Sequence, residues 1–428
     1  MVSRHGRPLA VLTSLFFMWG LITSLNDILI PHLKALFSLS YVEAMLVQFC
    51  FFMAYFVVSL PAGWLLQRIG YQRGLVIGLC TIGVGCLMFY PAAGSHAYPL
   101  FLGALFVLAA GVTLLQVAAN PYVTLLGDPD TASSRLNLTQ AFNSLGATVG
   151  PMIGSVLILG AADHAAGAAA DASSVQGPYL ALAALLFVLA VVVALFRLPD
   201  PRRLAENRAE LSGSWPSATA GEGSLWAHRH LVLGAVGIFA YVGAEVSIGS
   251  LLVNLMAEPQ IAGLTVSEAG KWLSLYWGAA MVGRFIGSAL MRKVSAAKVL
   301  AAAGLVNATL IAVAIAVSGP VAMWSLLAVG LFNSIMFPTL FALAIEGLGA
   351  LTSRGSGLLC MAIVGGAIVP LAQAMLADHW GLLPSFIVPL VCYLYIAHYG
   401  GWGHKPVGPA VGEIRAGLAG VTTAVQGA

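Results

Sequence analysis

The sequence predicts an all-α polytopic membrane protein, with twelve transmembrane helices arranged as two parallel six-helix repeats. Composition, the lengths of the apolar runs and an internal repeat lead there. Of 428 residues, 60% are hydrophobic and 8% charged, and the mean hydropathy is +0.93. A soluble domain carries about 25% charged residues, so water is not the solvent for most of this surface. Twelve runs reach the roughly 20 apolar residues that cross a bilayer. They cover approximately 10–36, 45–67, 72–93, 98–126, 134–160, 178–197, 229–257, 266–291, 297–317, 320–349, 353–377 and 382–400. Ser318, Gly319 and Pro320 alone separate the ninth from the tenth.

The first run follows Arg4 and Arg7 as a secretory signal would. It far exceeds a signal core of about 7 to 15 residues and shows no small-x-small cleavage site, so it reads as a retained helix. Asn26 and Asp27 lie inside it, with no basic residue nearer to Asp27 than His32 and Lys34. A carboxyl at that depth is costly, and such groups mark substrate or ion sites facing wet cavities.

In the fourth run Thr113, Gln116, Asn120 and Thr124 recur at intervals of three, four and four, which is one stripe of a helix. In the fifth, Gln140 and Asn143 are three apart. Single amides in a bundle often glue helices together, whereas a whole polar stripe points to a cavity. Amides donate and accept at once, as the hydroxyls of a polar ligand do, and an ionised Asp accepts strongly from paired hydroxyls. Pro121 offers no N–H to the carbonyl of Val117, leaving it for a sugar hydroxyl or producing a plain packing kink.

Glu245 is the only charged residue between Leu231 and Met256, with Tyr241 one turn before it. It is a candidate for sugar, proton or cation binding, against a structural hydrogen bond to a neighbouring helix. Arg135, Arg284 and Arg354 read as gates or helix contacts, and Glu346 is placed to pair with Arg354. Phe17, Trp19, Tyr276 and Trp277 read as packing and interface aromatics, and His32 as interfacial. The five cysteines all fall in spans, without metal or disulfide spacing. Nucleophile triads, metal clusters and phosphate loops are absent, which argues against an enzyme and against any cofactor.

Sixteen of the nineteen Lys and Arg fall in loops, tails and span ends on one side, only Lys34 and Lys271 lie near the other, and Arg284 is deep inside a span. The positive-inside rule then puts both termini in the cytoplasm. The segment 198–228 is rich in charge, Ser, Gly and Pro and reads as a cytoplasmic linker. It divides a six-helix bundle at 1–197 from another at 229–400, followed by a cytoplasmic tail at 401–428. The halves share motifs. Gly63-x4-Arg68 recurs as Gly287-x4-Arg292, a shift of 224 (292 − 68); Arg135, Gly146 and Pro151 recur as Arg354, Gly365 and Pro370, a shift of 219 (370 − 151). Gln116 and Pro121 recur as Asn333 and Pro338, a shift of 217 (338 − 121). An even number of spans per half makes the repeats parallel, with a substrate site between them near the midplane.

The segment Gly63-Trp64-Leu65-Leu66-Gln67-Arg68-Ile69-Gly70-Tyr71-Gln72-Arg73 resembles the loop between helices two and three of the major facilitator superfamily. Gln67 stands where that pattern has Asp. Within the superfamily, the chain resembles the fucose and glucose/galactose permeases. The matching segments are Leu25-Asn26-Asp27 with Ile30-Pro31-His32; Ala118-Ala119-Asn120-Pro121-Tyr122-Val123-Thr124; Arg135-Leu136-Asn137-Leu138 with Gln140-Ala141-Phe142-Asn143-Ser144; Tyr241-Val242-Gly243-Ala244-Glu245-Val246; and Phe332-Asn333-Ser334-Ile335-Met336-Phe337-Pro338.

The resemblance implies uptake of a neutral hexose or derivative, such as fucose, glucose or galactose, by proton symport with alternating access. Asp27 matches an acid that this family treats as central, whereas Gln116 replaces the Glu of the fucose branch. Expected substrate ligands are Asn26, Asp27, Gln116, Asn120, Gln140, Asn143, Glu245 and Asn333, with Asp27 and Glu245 as coupling acids. Arg68, Arg73, Arg135, Arg292 and Arg354 are expected at the gates. A polyspecific drug/proton exporter of the same fold and a sodium-coupled sugar symporter are the alternatives. Expected partners are a sugar and the lipid bilayer, not nucleic acid. The chain is expected to act as a monomer in a cell membrane, the inner membrane of a bacterium.

Overall fold

The computed structural model describes residues 6–37, 41–95, 98–154, 176–196, 198–199 and 224–406, apart from the side chains of 6–7, 24–37, 41–48, 95, 151–154 and 266–267. Among them the secondary structure is helical throughout. The first nine spans are Gly6–Phe37, Tyr41–Ile69, Tyr71–Ser95, Tyr98–Leu125, Ala132–Gly154, Gln176–Leu195, Arg229–Ala257, Val266–Leu290 and Ala296–Ala316. The tenth comes in two pieces, Pro320–Asn333 and Met336–Ala344. The eleventh is Thr352–Met361 and Gly365–Trp380, joined by a 3-10 turn, and the twelfth is Ile387–His398. Nearly all of the linker and of the tail beyond Pro406 lies outside the described residues.

Eight of these elements are long and apolar enough to cross a membrane by length and composition. The other four fall short for identifiable reasons. The first is described in full only in part, the fifth carries Ser, Thr, Asn and Gln along one face, the eighth includes Glu268, Lys271 and Arg284, and the twelfth is short. Ser134, Asn137 and Gln140 of the fifth span and Arg284 of the eighth face other helices, as the contacts below show, whereas Glu268 and Lys271 are exposed at the start of the eighth.

Local signals set the boundaries. Gly70, at φ +83°, ends the second helix so tightly that the third starts at Tyr71. The eighth opens with a capping box: Glu268 N–H donates to the Thr265 hydroxyl at 3.3 Å, and Thr265 N–H donates to the Glu268 carboxylate at 3.0 Å. The sixth is closed by Gln72, whose amide donates to the carbonyls of Val193 at 2.9 Å and Phe196 at 2.8 Å.

Spans one to six pack chiefly on one another, as do seven to twelve. The duplication is visible in the packing. A side chain at Gly20 would strike the backbone of Asn143, and one at Gly146 that of Phe17, so the first and fifth spans cross in backbone contact. The seventh and eleventh cross the same way, with Gly365 against the backbone of Phe239. These pairs are related by 219 (365 − 146), an offset already seen in sequence, and by 222 (239 − 17), which lies within the range of 217 to 224 seen there. Small residues at such crossings let helices approach where no hydrophobic force drives them together.

Two seams join the sets, the second span against the eleventh and the fifth against the eighth and lower tenth. In the first seam, a Cβ at Gly63 would lie 2.7 Å from the carbonyl of Ser353, and one at Gly357 would lie 2.6 Å from that of Ser59. In the second, Ser134 donates to the Ser288 carbonyl at 2.7 Å and Ser288 donates to the Ser134 carbonyl at 2.8 Å. Both seams close the arginine-rich end of the bundle.

Candidate substrate site and its surroundings

The polar stripe of the fourth span is wholly buried. Its four members divide. Thr113 donates to the Ala109 carbonyl at 2.8 Å and Thr124 to the Pro121 carbonyl at 2.8 Å, so both hydroxyls are answered by their own helix. Among the described residues Gln116 Oε1 and Asn120 Nδ2 have no hydrogen-bond partner, although Gln116 is 3% exposed and Asn120 0%. Gln140 of the fifth span reaches Asn120 Oδ1 from 3.4 Å, a long bond. A buried acceptor and a buried donor are thus left open side by side on one helix, which costs about 1 to 3 kcal/mol each unless a ligand or water answers them.

Asn143 behaves differently from this expected cluster. Its amide nitrogen donates to the Phe16 carbonyl at 3.0 Å and ties the fifth span to the first beside the Gly20 and Gly146 crossing. Asn333 is also committed elsewhere. Its Nδ2 donates to the Tyr276 hydroxyl at 2.7 Å, and its Oδ1 accepts from Tyr393 at 2.5 Å and Asn307 at 3.2 Å. Asn333, expected among the substrate ligands, thus has both polar atoms bound and knots the eighth, ninth, tenth and twelfth spans together. The side chains of Asn26 and Asp27 lie outside the described residues.

Glu245 accepts a 2.8 Å hydrogen bond from Tyr241 and lies in the electrostatic field of Arg284. Arg284 is more than the helix contact its position suggested. Its Nε donates to the Ser334 carbonyl at 3.1 Å, and its Nη1 donates to the Gln140 carbonyl at 3.2 Å and to the Ser144 hydroxyl. Pro338 has no N–H for Ser334 O, so the guanidinium occupies the carbonyl that the proline frees. The carbonyl freed by Pro121 is likewise taken, by the Ser356 hydroxyl of the eleventh span at 2.8 Å. Of the two readings of Pro121, the packing one has this observed bond on its side.

The five expected gate arginines sit at one end of the bundle in different settings. Arg68 is exposed and lies 3.6 Å over the Trp64 ring, while Arg73 and Arg292 are exposed. Arg135 staples the turn between the fourth and fifth spans, donating to the carbonyls of Asp128 at 2.6 Å and Thr124 at 2.9 Å and to the Thr131 hydroxyl at 2.5 Å. Arg354 is half-buried beside Gly63. Glu346, expected to pair with Arg354, instead has His404 and Asp130 as its charged neighbours. It lines a cavity of about 820 Å³ at this end, with Asp130, Arg292 and His404. Sequence reasoning also left aside Asn137, whose amide donates to Thr339 of the tenth span at 3.1 Å. Its place in a polar face of the fifth helix was the available signal.

Comparison with known proteins agrees in family and fold. The profile described as the Major Facilitator Superfamily matches residues 11–370. A glucose/galactose transporter of Brucella abortus is 58% identical over 401 residues, covering 94% of this chain and 95% of the relative. The L-fucose-proton symporter of Escherichia coli is 34% identical over 404 residues, with 91% of each chain covered. Among solved structures, the superfamily transporter FucP in an outward conformation superposes with a TM-score of 0.82 at 31% identity, over 94% of this chain and all of that one.

Proposed function

This chain belongs to the Major Facilitator Superfamily, and on that premise we propose that it imports a neutral hexose or close derivative by proton symport. It is a multi-pass membrane transporter rather than an enzyme. The observation that carries the substrate class is the open acceptor on Gln116 and the open donor on Asn120, buried beside Gln140. A ring of hydroxyls, each able to donate and accept, is the chemistry that would answer both at once. The names of the relatives support the same class: one is a glucose/galactose transporter and another an L-fucose-proton symporter.

In this reading the substrate ligands are Gln116, Asn120 and Gln140, joined by Asn26 and Asp27 of the first span, Asn143 of the fifth and Glu245 of the seventh. Asp27 and Glu245 are the acids available for coupling, because the amide of Gln116 cannot carry a proton. The bundles at 1–197 and 229–400 rock about the site, and the arginines at the closed end, Arg68, Arg73, Arg135, Arg292 and Arg354, belong to the inner gate. The reading puts both termini in the cytoplasm, which the sixteen-to-two division of Lys and Arg supports. The working unit is a monomer in a cell membrane, the inner membrane in a bacterium with two.

Uptake into proteoliposomes tests the proposal. Labelled glucose, galactose and fucose should accumulate under an inwardly directed pH gradient and not under a sodium gradient alone. Accumulation driven by sodium would replace protons as the coupling ion. Efflux of lipophilic cations with no hexose uptake would establish the drug exporter in its place.

A further inference from the structure

The eighth and ninth spans part along an exposed side and leave a groove of about 440 Å³ whose floor is the break in the tenth. Small residues make the room. Gly283 is pressed against Leu331 and Ser334, Gly287 against Ile335, and Ala302 and Ala303 line the groove from the ninth span. The rims are apolar and open: Ile286 is 56% exposed, Leu290 45% and Val306 36%. All three belong to spans eight and nine, so the medium that meets them is lipid rather than water.

Lys298 breaks this apolar pattern. It lines the groove from the first turn of the ninth span, it is exposed, and its amine has no hydrogen-bond or ion-pair partner among the described residues. Lys298, Ala302 and Val306 follow at intervals of four and share one line of the helix, with the charge at the arginine-rich end and the apolar positions running inward. From Lys298 to Val306 the helix rises about 12 Å, most of the roughly 15 Å that the hydrocarbon of one leaflet occupies. Arg292 and Lys293, exposed in the turn between the two spans, add positive charge at the same end, and no Asp or Glu is among the described residues that line the groove. A slot one leaflet deep with a cationic mouth is complementary to a phospholipid whose headgroup is anionic.

We propose that this groove is a site for one anionic phospholipid, with an acyl chain lying between spans eight and nine against Ile335 and the phosphate at Lys298. The inference uses the orientation proposed above, which puts this end in the cytoplasmic leaflet, and is independent of the sugar. A zwitterionic lipid fits the slot equally well but brings an ammonium group beside Lys298, whereas phosphatidylglycerol brings only the negative charge. The chain also packs on the break itself, where Arg284 already holds the Ser334 carbonyl, so occupancy should raise the thermal stability of the protein.

Native mass spectrometry of the purified full chain, with phosphatidylglycerol and phosphatidylcholine of the same acyl chains supplied in equal amounts and no sugar present, tests the site. Wild type should retain one phosphatidylglycerol in preference to phosphatidylcholine by about fivefold, the scale of one lysine near a membrane surface, and high salt should reduce the preference. Lys298→Gln should remove most of that preference while still taking up either lipid, and Lys298→Arg should keep it. Ala302→Trp, which fills the slot from an exposed position, should lower retention of both lipids and the rise in melting temperature that phosphatidylglycerol produces. Ala302→Leu should act in the same direction more mildly and serves if the tryptophan variant does not fold. Equal retention of the two lipids by wild type, an undiminished preference in Lys298→Gln, or unchanged retention in both Ala302 variants would overturn the site. Inorganic phosphate that stabilises wild type as much as phosphatidylglycerol does would assign Lys298 to a soluble anion instead. Lipid-free dimers that Ala302→Trp abolishes would put a second copy of the chain in the groove, and either result overturns the lipid.

Discussion

Residues 116–121 of the fourth span and 333–338 of the tenth are equivalent stretches of the two repeats, and they have been put to opposite uses. Each starts with an amide and ends with a proline that frees the carbonyl four residues before it. In the fourth span the helix runs on unbroken, the Val117 carbonyl is answered by a small hydroxyl from the other half, and Gln116 keeps an open oxygen. In the tenth the helix breaks at Ser334 and Ile335, Arg284 takes the freed carbonyl, and both polar atoms of Asn333 are bound. One repeat leaves hydrogen-bonding capacity open among the described residues. The other commits it to scaffolding, beside the charged Arg284.

The largest effect should come from breaking the scaffold. Asn333→Ala strands the hydroxyls of Tyr276 and Tyr393 and the amide of Asn307 in a buried site, at a cost of about 3 kcal/mol or more. Thermal unfolding of the purified protein should show a clear fall in melting temperature; an unchanged value would mean that the knot is not structural.

A second, smaller effect concerns the other proline. Ser356→Ala should cost roughly 1 to 3 kcal/mol by leaving Val117 O unanswered. Pro121→Ala supplies the missing backbone N–H, so adding it to Ser356→Ala should recover stability. If the double variant is worse than the single, the carbonyl is not the reason for the hydroxyl. The smallest effect lies on the seam: Ser134→Ala and Ser288→Ala each remove one hydroxyl donor to a backbone carbonyl and should each cost about 0.5 to 1.5 kcal/mol of stability. Unchanged melting temperatures in both variants would mean that water replaces those bonds at no cost.

Much of this contrast could be anticipated from the chain alone, because it depends on spacing. The apolar runs place the helices, the shift of 217 pairs Gln116 with Asn333, and each proline marks its free carbonyl. What spacing does not contain is the identity of the atom across a helix crossing. Gln116 and Asn333 look alike until Tyr276, Tyr393 and Asn307 are brought around one of them from three other spans. Arg284 reads as a costly charge in a membrane helix until Pro338 is seen to have freed its acceptor. The same holds for Glu346, which is close to Arg354 in sequence but has His404 and Asp130 as its charged neighbours in space.

The central claim is that the open amides, not the bound one, hold the sugar. Calorimetric titration of glucose, galactose or fucose into purified wild type, Gln116→Ala and Asn333→Ala tests it directly, at a temperature where all three are folded. Gln116→Ala should weaken binding by about 1 to 3 kcal/mol, roughly 5- to 150-fold, while Asn333→Ala keeps the wild-type affinity despite its lower melting temperature. Unchanged affinity in Gln116→Ala, or a loss confined to Asn333→Ala, would contradict the account.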